Sequence, residues 1–135
     1  MKFYYQIEQL PKSNEPYRVA TDIEGYISII SEKGEIIFEA EGVLLVELAI
    51  FCKKWLDDNT NANFYYSSMD FEESPILAFY VNSHETYYFS SVWRKSTVDN
   101  IPLSEIKSSM REYIEDLKKN LKNNFLIDIE GYEGL

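Results

Sequence analysis

The residue types that could support catalysis are few in this 135-residue chain and poorly spaced for it. A nucleophile and its base usually involve a histidine, and the only one, His84, falls in a polar turn between two predicted strands. The only cysteine, Cys52, excludes an internal disulfide and a cysteine zinc cluster and is most simply a buried apolar residue. The sequence contains no glycine-rich phosphate loop and no metal-spaced cluster of histidine and acids. We therefore expect no metal, no cofactor and no nucleotide.

Three carboxylates offer the one catalytic alternative. Asp70, Glu72 and Glu73 follow Tyr65 and Tyr66 within a few residues, so a carboxylate pair could act as acid and base beside tyrosines that stack on a sugar. Acids at this density before a Ser-Pro dipeptide are more typical of a solvated turn. We therefore expect that the protein is not an enzyme, and only paired carboxylates in a deep cleft would revive that hypothesis.

Acidic residues outnumber basic ones by 23 to 13, which gives a formal charge of -10 at neutral pH. This field repels the phosphates of nucleic acids and anionic lipids, so direct binding to either is not expected. Five acids lie at the two ends of one predicted strand, near one edge: Asp57, Asp58, Asp70, Glu72 and Glu73. No signal-peptide pattern is visible, and the longest apolar stretch, 43–51, is too short to span a bilayer. A cytoplasmic protein is expected.

Tyrosine doublets mark the predicted strands of this chain, in which 11 residues are tyrosine. The doublets are Tyr4-Tyr5, Tyr65-Tyr66 and Tyr87-Tyr88. Successive side chains of a strand point to opposite faces, so each doublet places one aromatic ring on each face of a sheet. One face can be core, and the other must be covered or used for binding. The predicted protein-binding surface combines the five acids with four tyrosines: Tyr65, Tyr66, Tyr87 and Tyr88.

Local periodicity predicts short antiparallel strands and two amphipathic helices. Strands are predicted over 3–8, 17–24, 26–30, 35–39, 64–68, 76–81 and 86–93. Gly34 suits the turn that joins the third and fourth of these strands. Apolar residues at helical spacing predict helices over 43–58 and 103–123. The expected fold is a single α+β domain over 1–135, with a multi-stranded antiparallel sheet and both helices packed mainly on one face.

The C-terminal tail, 124–135, is predicted to be a loose segment or to form a short final strand over 125–129. It contains Asp-Ile-Glu-Gly-Tyr at 128–132, which repeats residues 22–26 in full. Five residues are too few to establish a structural repeat, and coincidence explains the match most simply. Alternatively, the tail imitates a strand edge and pairs with a second copy, so we expect a monomer or a weak homodimer.

This order of elements resembles that of immunity proteins from bacterial polymorphic-toxin systems, loosely those of the WapI type. The similarity covers the pattern over 17–121: short strands, a helix carrying Leu44, Leu48, Phe51 and Trp55, a strand hairpin and a final amphipathic helix. It includes no diagnostic motif, so no residue role is carried over. The resemblance implies an acidic inhibitor that binds a cognate protein toxin, such as a basic nuclease domain, and blocks its active site or substrate path.

A second hypothesis belongs to a different class. The chain could be a small-ligand-binding or regulatory homodimeric domain, whose uncovered aromatic face forms a shallow pocket or a dimer interface. A size measurement separates the two hypotheses. A constitutive dimer that buries the tyrosine face favours the second, and an acidic monomer with an exposed aromatic patch favours the first.

Overall fold

A computed structural model describes residues 1–135 except 14, 16, 17, 59–61, 69, 84, 95 and 96. The described residues form seven strands: β1 (Lys2–Gln9), β2 (Glu24–Ile30), β3 (Ile36–Leu44), β4 (Phe64–Tyr66), β5 (Leu77–Ser83), β6 (Thr86–Ser90) and β7 (Val98–Pro102). They also form three α-helices and one 3-10 turn: α1 (Arg18–Asp22), α2 (Leu45–Asp57), α3 (Leu103–Phe125) and Tyr132–Gly134. The predicted α+β class is confirmed.

The strands are divided between two antiparallel sheets. Sheet 1 has the order β1-β2-β3, and sheet 2 has the order β4-β5-β6-β7. The predicted turn joins β2 to β3: Gly34 has a φ of 83°, and the Ser31 N–H donates to the Glu35 carbonyl oxygen at 2.8 Å. The two sheets meet where the Arg94 guanidinium donates to the Ile37 carbonyl oxygen at 2.6 Å.

Helices α2 and α3 cover one face of each sheet. Helix α2 contacts β2, β3 and β4, helix α3 contacts β1 and β7, and the helices contact each other. Their buried side chains and the inward side chains of the strands form one hydrophobic core. Tyr113 of α3 joins the helices, since its hydroxyl donates to the Leu45 carbonyl oxygen at 2.8 Å. No helix of the described residues has the length and continuous apolar character that a bilayer crossing requires.

The segment 17–24, predicted as a strand, contains helix α1 instead. Arg18 pairs with Asp22 at the other end of α1, at 3.1 Å, and with Glu15 before the helix, at 3.3 Å. Tyr17, where the predicted strand begins, lies outside the described residues. The strand prediction is wrong: α1 packs against α2 and β3, with Val19 and Ala20 against the core, and these exposed ion pairs add little to its stability. The next strand, β2, begins only at Glu24.

Strand β7 is the edge strand of sheet 2 next to β6, and the sequence pattern does not predict it. Its two aliphatic residues, Val98 and Ile101, are three positions apart, a spacing that fits no regular strand. A shift in register lets them pair with Phe89 and Tyr87, which both face the core. Asn100 between them has a φ of 58°, which absorbs the extra residue. Because the backbone is irregular here, the apolar residues of β7 do not alternate with a period of two, and the sequence pattern does not indicate a strand.

The C-terminal tail packs on its own chain, and the strand predicted over 125–129 does not form. Ile129 is buried, and Lys118 Nζ of α3 lies 2.9 Å from Glu130 Oε2. The five-residue repeat adopts two structures: residues 22–26 end α1 and begin β2, whereas the second copy, 128–132, ends at the first residue of the 3-10 turn. The shared sequence therefore does not mark a shared structure.

Candidate protein-binding surface

The strand register separates the two tyrosines of each doublet in sheet 2. Tyr66 and Tyr87 are 0% and 1% exposed, whereas Tyr65 is 49% exposed and Tyr88 is half-buried. The cause is the period of two in a strand, which sends neighbouring side chains to opposite faces. Tyr66 and Tyr87 both belong to the predicted interface, but the structure places them in the core, where no partner reaches them.

The two inward tyrosines hold α2 against sheet 2. The Tyr66 hydroxyl donates to Glu47 Oε1 at 2.9 Å, and its ring meets Phe51 edge-on with 5.2 Å between centroids. Burial, and to a lesser extent the charge of Glu47, raises the pKa of Tyr66 well above its ordinary value. Tyr87 meets Trp55 edge-on with 6.1 Å between centroids. These tyrosines therefore have a structural role.

Three tyrosines form a row on the opposite face of sheet 2. Tyr80 of β5 and Tyr88 of β6 are direct cross-strand partners, and their stacked rings have centroids 5.1 Å apart. Tyr65 of β4 meets Tyr80 edge-on at 5.4 Å. We call Tyr65, Tyr80 and Tyr88 the tyrosine row. It crosses three strands on the face that the helices leave uncovered, and its members are exposed or half-buried.

Tyr80 is the member of the row that the predicted site lacks. It is not part of a doublet, and its pairing with Tyr88 places it in the row. The signal in the sequence is its alternation with the core residue Phe79. Partial burial, and secondarily the phenols of Tyr65 and Tyr88, raises the pKa of Tyr80. Tyr80 therefore stays a neutral hydrogen-bond donor at neutral pH.

Asn63 orients one end of the tyrosine row. Its Nδ2 donates to the Tyr65 hydroxyl oxygen at 2.9 Å, and its Oδ1 accepts from the Val81 N–H at 2.7 Å. Both halves of the amide are therefore engaged, one by the ring that it positions and one by the neighbouring strand. This arrangement limits the rotation of the Tyr65 side chain.

The five predicted acids lie at the two ends of β4, which is an edge strand of sheet 2. Asp57 and Asp58 precede it at the end of α2, and the other three follow it in the loop before β5: Asp70, Glu72 and Glu73. Asp57 pairs with Lys53 Nζ at 2.8 Å, which partly compensates its charge. The remaining four are exposed, and within the described part of the chain none of them has an ion-pair partner.

Aromatic contacts connect the loop that carries Asp70, Glu72 and Glu73, here called the acidic loop, to sheet 1 through Trp93. Phe71, inside this loop, meets Trp93 edge-on at 5.2 Å, and Trp93 stacks on Phe38 of sheet 1 at 6.1 Å. The Asp70 N–H donates to Ser68 Oγ at 3.2 Å. The backbone that carries the acids is therefore positioned, while their side chains extend into solvent.

The groups presented at this surface are ring faces, phenol hydroxyls and carboxylates. Burial raises the pKa of the Cys52 thiol, which keeps it protonated in the core. His84 lies outside the described residues. Among the residues that the structure does describe, no three histidine, cysteine, aspartate or glutamate side chains are placed to hold a metal ion. The surface suits binding by stacking and by charge-assisted hydrogen bonds.

Fold and surface together define an acidic α+β protein of two antiparallel sheets, with an exposed aromatic row on sheet 2 and exposed carboxylates in the segments before and after β4. The chain belongs to the family described as Domain of unknown function (DUF7878), whose model matches residues 1–123. That match includes both sheets and nearly all of α3. Comparison with curated proteins and with solved structures finds no significant match.

Proposed function

We propose that this chain is a protein-binding module that acts as an immunity protein and neutralises a cognate toxin domain by direct binding. The tyrosine row is the observation that supports this most strongly, because three contacting rings lie on an uncovered sheet face. Aromatic side chains dominate the energetics of protein interfaces, and contiguous apolar patches on a surface commonly mark such sites. Tyrosine contributes a large contact area with few rotatable bonds.

The charges of the chain favour a basic partner. The chain has a formal charge of -10, and four of the acids at the ends of β4 have no ion-pair partner among the described residues. Such a field attracts a basic surface over a distance and speeds association, which neutralisation of a toxin requires. A nuclease domain with a basic substrate cleft has the complementary charge. We place the encounter in the cytoplasm, where an immunity protein protects the cell that makes the toxin.

Growth rescue tests the proposal. The open reading frame immediately upstream, or its C-terminal region, is expressed in a host with and without this chain. We expect toxicity, rescue by this chain, and a complex that co-purifies at low salt and weakens at high salt because salt screens the charge attraction. A neighbour that is not toxic and forms no complex would contradict the immunity role.

Charge reversal tests which surface binds. The test variant replaces three loop acids by lysine: Asp70, Glu72 and Glu73. The control variant makes the same change of total charge at three exposed acids near β3: Glu32, Glu35 and Glu41. We expect the test variant to lose rescue and the control variant to retain it. If both variants lose rescue, net charge and not the acidic loop governs binding.

The uncovered tyrosine row also supports one alternative, a regulatory or small-ligand-binding domain that dimerises through this face. Analytical ultracentrifugation of the wild-type protein and of Tyr80→Ala distinguishes the two. A constitutive dimer that becomes a monomer in the variant would favour the alternative. A wild-type monomer at micromolar concentration would leave the row available for a different protein.

A further inference from the structure

A groove of about 530 Å³ lies between strand β1 and helix α3, in sheet 1 and not in the sheet of the tyrosine row. Residues 2–7 line one side, and α3 lines the other. Helix α3 packs on the inner face of β1, where Tyr113 contacts the rings of Phe3 at 5.6 Å and Tyr5 at 5.7 Å. The walls of the groove are therefore the open edge of sheet 1 and the part of α3 beside that edge.

Strand β1 is an edge strand, and its outer side is open to a further strand. Over the described residues it pairs only with β2. A single antiparallel neighbour forms hydrogen bonds with the N–H and C=O groups of about every second residue of a strand. The backbone groups of the other residues of this eight-residue strand therefore have no hydrogen-bond partner in a neighbouring strand. Native proteins usually cover or interrupt an edge of this length. An extended segment from another protein would pair these groups by strand addition.

Polar side chains of α3 line the groove at the spacing that an added strand needs. They recur at every fourth residue: Glu112, Asp116, Asn120 and Asn124. Four residues of helix rise about 6 Å, and alternate side chains of a strand repeat at about 6.6 Å. The stripe is therefore about 18 Å long and matches a strand of about seven residues, in which every second side chain faces one member of the stripe.

Three consecutive hydrogen bonds along the groove run toward one carboxylate. Asn124 Nδ2 donates to Asn120 Oδ1 at 2.6 Å, and Asn120 Nδ2 donates to the Tyr5 hydroxyl oxygen at 3.1 Å. The Tyr5 hydroxyl in turn donates to Asp116 Oδ2 at 2.8 Å. Asp116 is thus an oriented carboxylate, and within the described residues it has no ion-pair partner. A lysine or arginine side chain of a partner would form an ion pair with this carboxylate.

We propose that this groove binds an extended segment of a partner protein, which adds to β1 as a further strand and places lysine or arginine opposite Glu112 and Asp116. The pair between Lys2 and Glu112, at 3.4 Å, does not block such a segment, because both side chains are more than half exposed and the pair is weak. A second copy of this chain fits less well, since its own α3 would compete for the space beside β1. The groove is separate from the tyrosine row, so this proposal does not depend on the immunity role.

A synthetic peptide tests the groove. The probe is an acetylated, amidated peptide of about seven residues in which lysine alternates with valine. It is titrated into isotope-labelled protein, and amide chemical shifts are followed by NMR. We expect saturable shifts in β1 and in residues 109–125. The same peptide with backbone N-methyl groups on alternate residues cannot pair with the strand edge and should bind at least about tenfold more weakly.

Two variants test the charge. Asp116→Lys should weaken the peptide at least about tenfold, and Asp116→Asn, which keeps an acceptor for Tyr5, should weaken it about threefold. Glu41→Lys makes the same charge change as Asp116→Lys on an exposed part of β3 and should bind like the wild type. Three results would overturn the proposal: no shifts at about 1 mM peptide, equal binding by Asp116→Lys and wild type, or shifts confined to the acidic loop. A wild-type dimer with protected β1 amides would assign the groove to a second copy instead.

Discussion

Replacement of Tyr66 by alanine should destabilise the protein far more than replacement of its sequence neighbour Tyr65. Tyr66 is fully buried, packs on Phe51 and donates a hydrogen bond to Glu47. Truncation of a buried aromatic side chain costs about 3–5 kcal/mol, and the Glu47 carboxylate also loses its donor. Tyr65 is 49% exposed and makes one ring contact, with Tyr80, so its loss should cost about 0.5–1.5 kcal/mol.

Urea unfolding followed by circular dichroism measures this difference. For small proteins the free energy of unfolding falls by about 1–3 kcal/mol per molar urea, so a gap of about 3 kcal/mol separates the two midpoints by about 1–3 M. Equal midpoints for Tyr65→Ala and Tyr66→Ala would refute the assignment of one ring to the core and the other to the surface. The second doublet is an internal control, because Tyr87→Ala should likewise unfold at lower urea than Tyr88→Ala.

Three further predictions concern the packing and backbone conformation of the fold. Gly25→Ala should cost about 3 kcal/mol or more in urea unfolding, because the added Cβ would lie 2.0 Å from the Gln6 carbonyl oxygen and 2.9 Å from Leu45 Cδ1; a wild-type midpoint would contradict this packing. Burial raises the pKa of Tyr113, so its contribution to stability is complete below its ordinary value of about 10 and is lost above it at about 1.4 kcal/mol per pH unit. Tyr113→Phe should therefore flatten the alkaline loss in urea titrations at a series of pH values, and an unchanged slope would show that other groups dominate. Leu126→Gly should raise the stability by about 1 kcal/mol, because Leu126 has a φ of 57° and is 91% exposed; a lower thermal midpoint would contradict the strain.

The elements that the sequence predicts well are those whose stabilising contacts are local. The β2-β3 turn depends on the left-handed conformation of Gly34, and glycine adopts it at little cost. Helix α3 has a regular apolar stripe, so its predicted start at residue 103 agrees with the structure. The strands of the tyrosine doublets are also recognisable, because aromatic residues favour strands.

The elements that the sequence misses depend on contacts between distant segments. Helix α1 packs against α2 and β3, with Val19 and Ala20 against the core, and the residues of 17–24 alone do not reveal these contacts. Strand β7 forms because Val98 and Ile101 reach the core through an irregular backbone that pairs with β6. Local sequence patterns also do not predict the division of the strands into two sheets, since strand order depends on long-range pairing.

For the candidate surfaces, too, local sequence predicts one part and long-range contacts decide the other. The doublets alone predict that one tyrosine of each pair faces the core and the other faces away, because side chains of a strand alternate. Which of the two faces inward depends on the side that α2 covers, and this placed Tyr66 in the core and Tyr65 outside. The register of β5 against β6 then brought Tyr80 opposite Tyr88 and completed the row.

Charge and composition are properties of the chain itself, so the sequence alone determined that the protein is acidic, aromatic-rich and of α+β class. Only the tertiary structure decided which groups lie together: the tyrosine row from three strands, and the groove in which Asp116 of α3 meets Tyr5 of β1 across 111 positions of sequence. The physical reason is that local periodicity specifies which face of an element is apolar, whereas burial of those faces in one core selects the partners and the register.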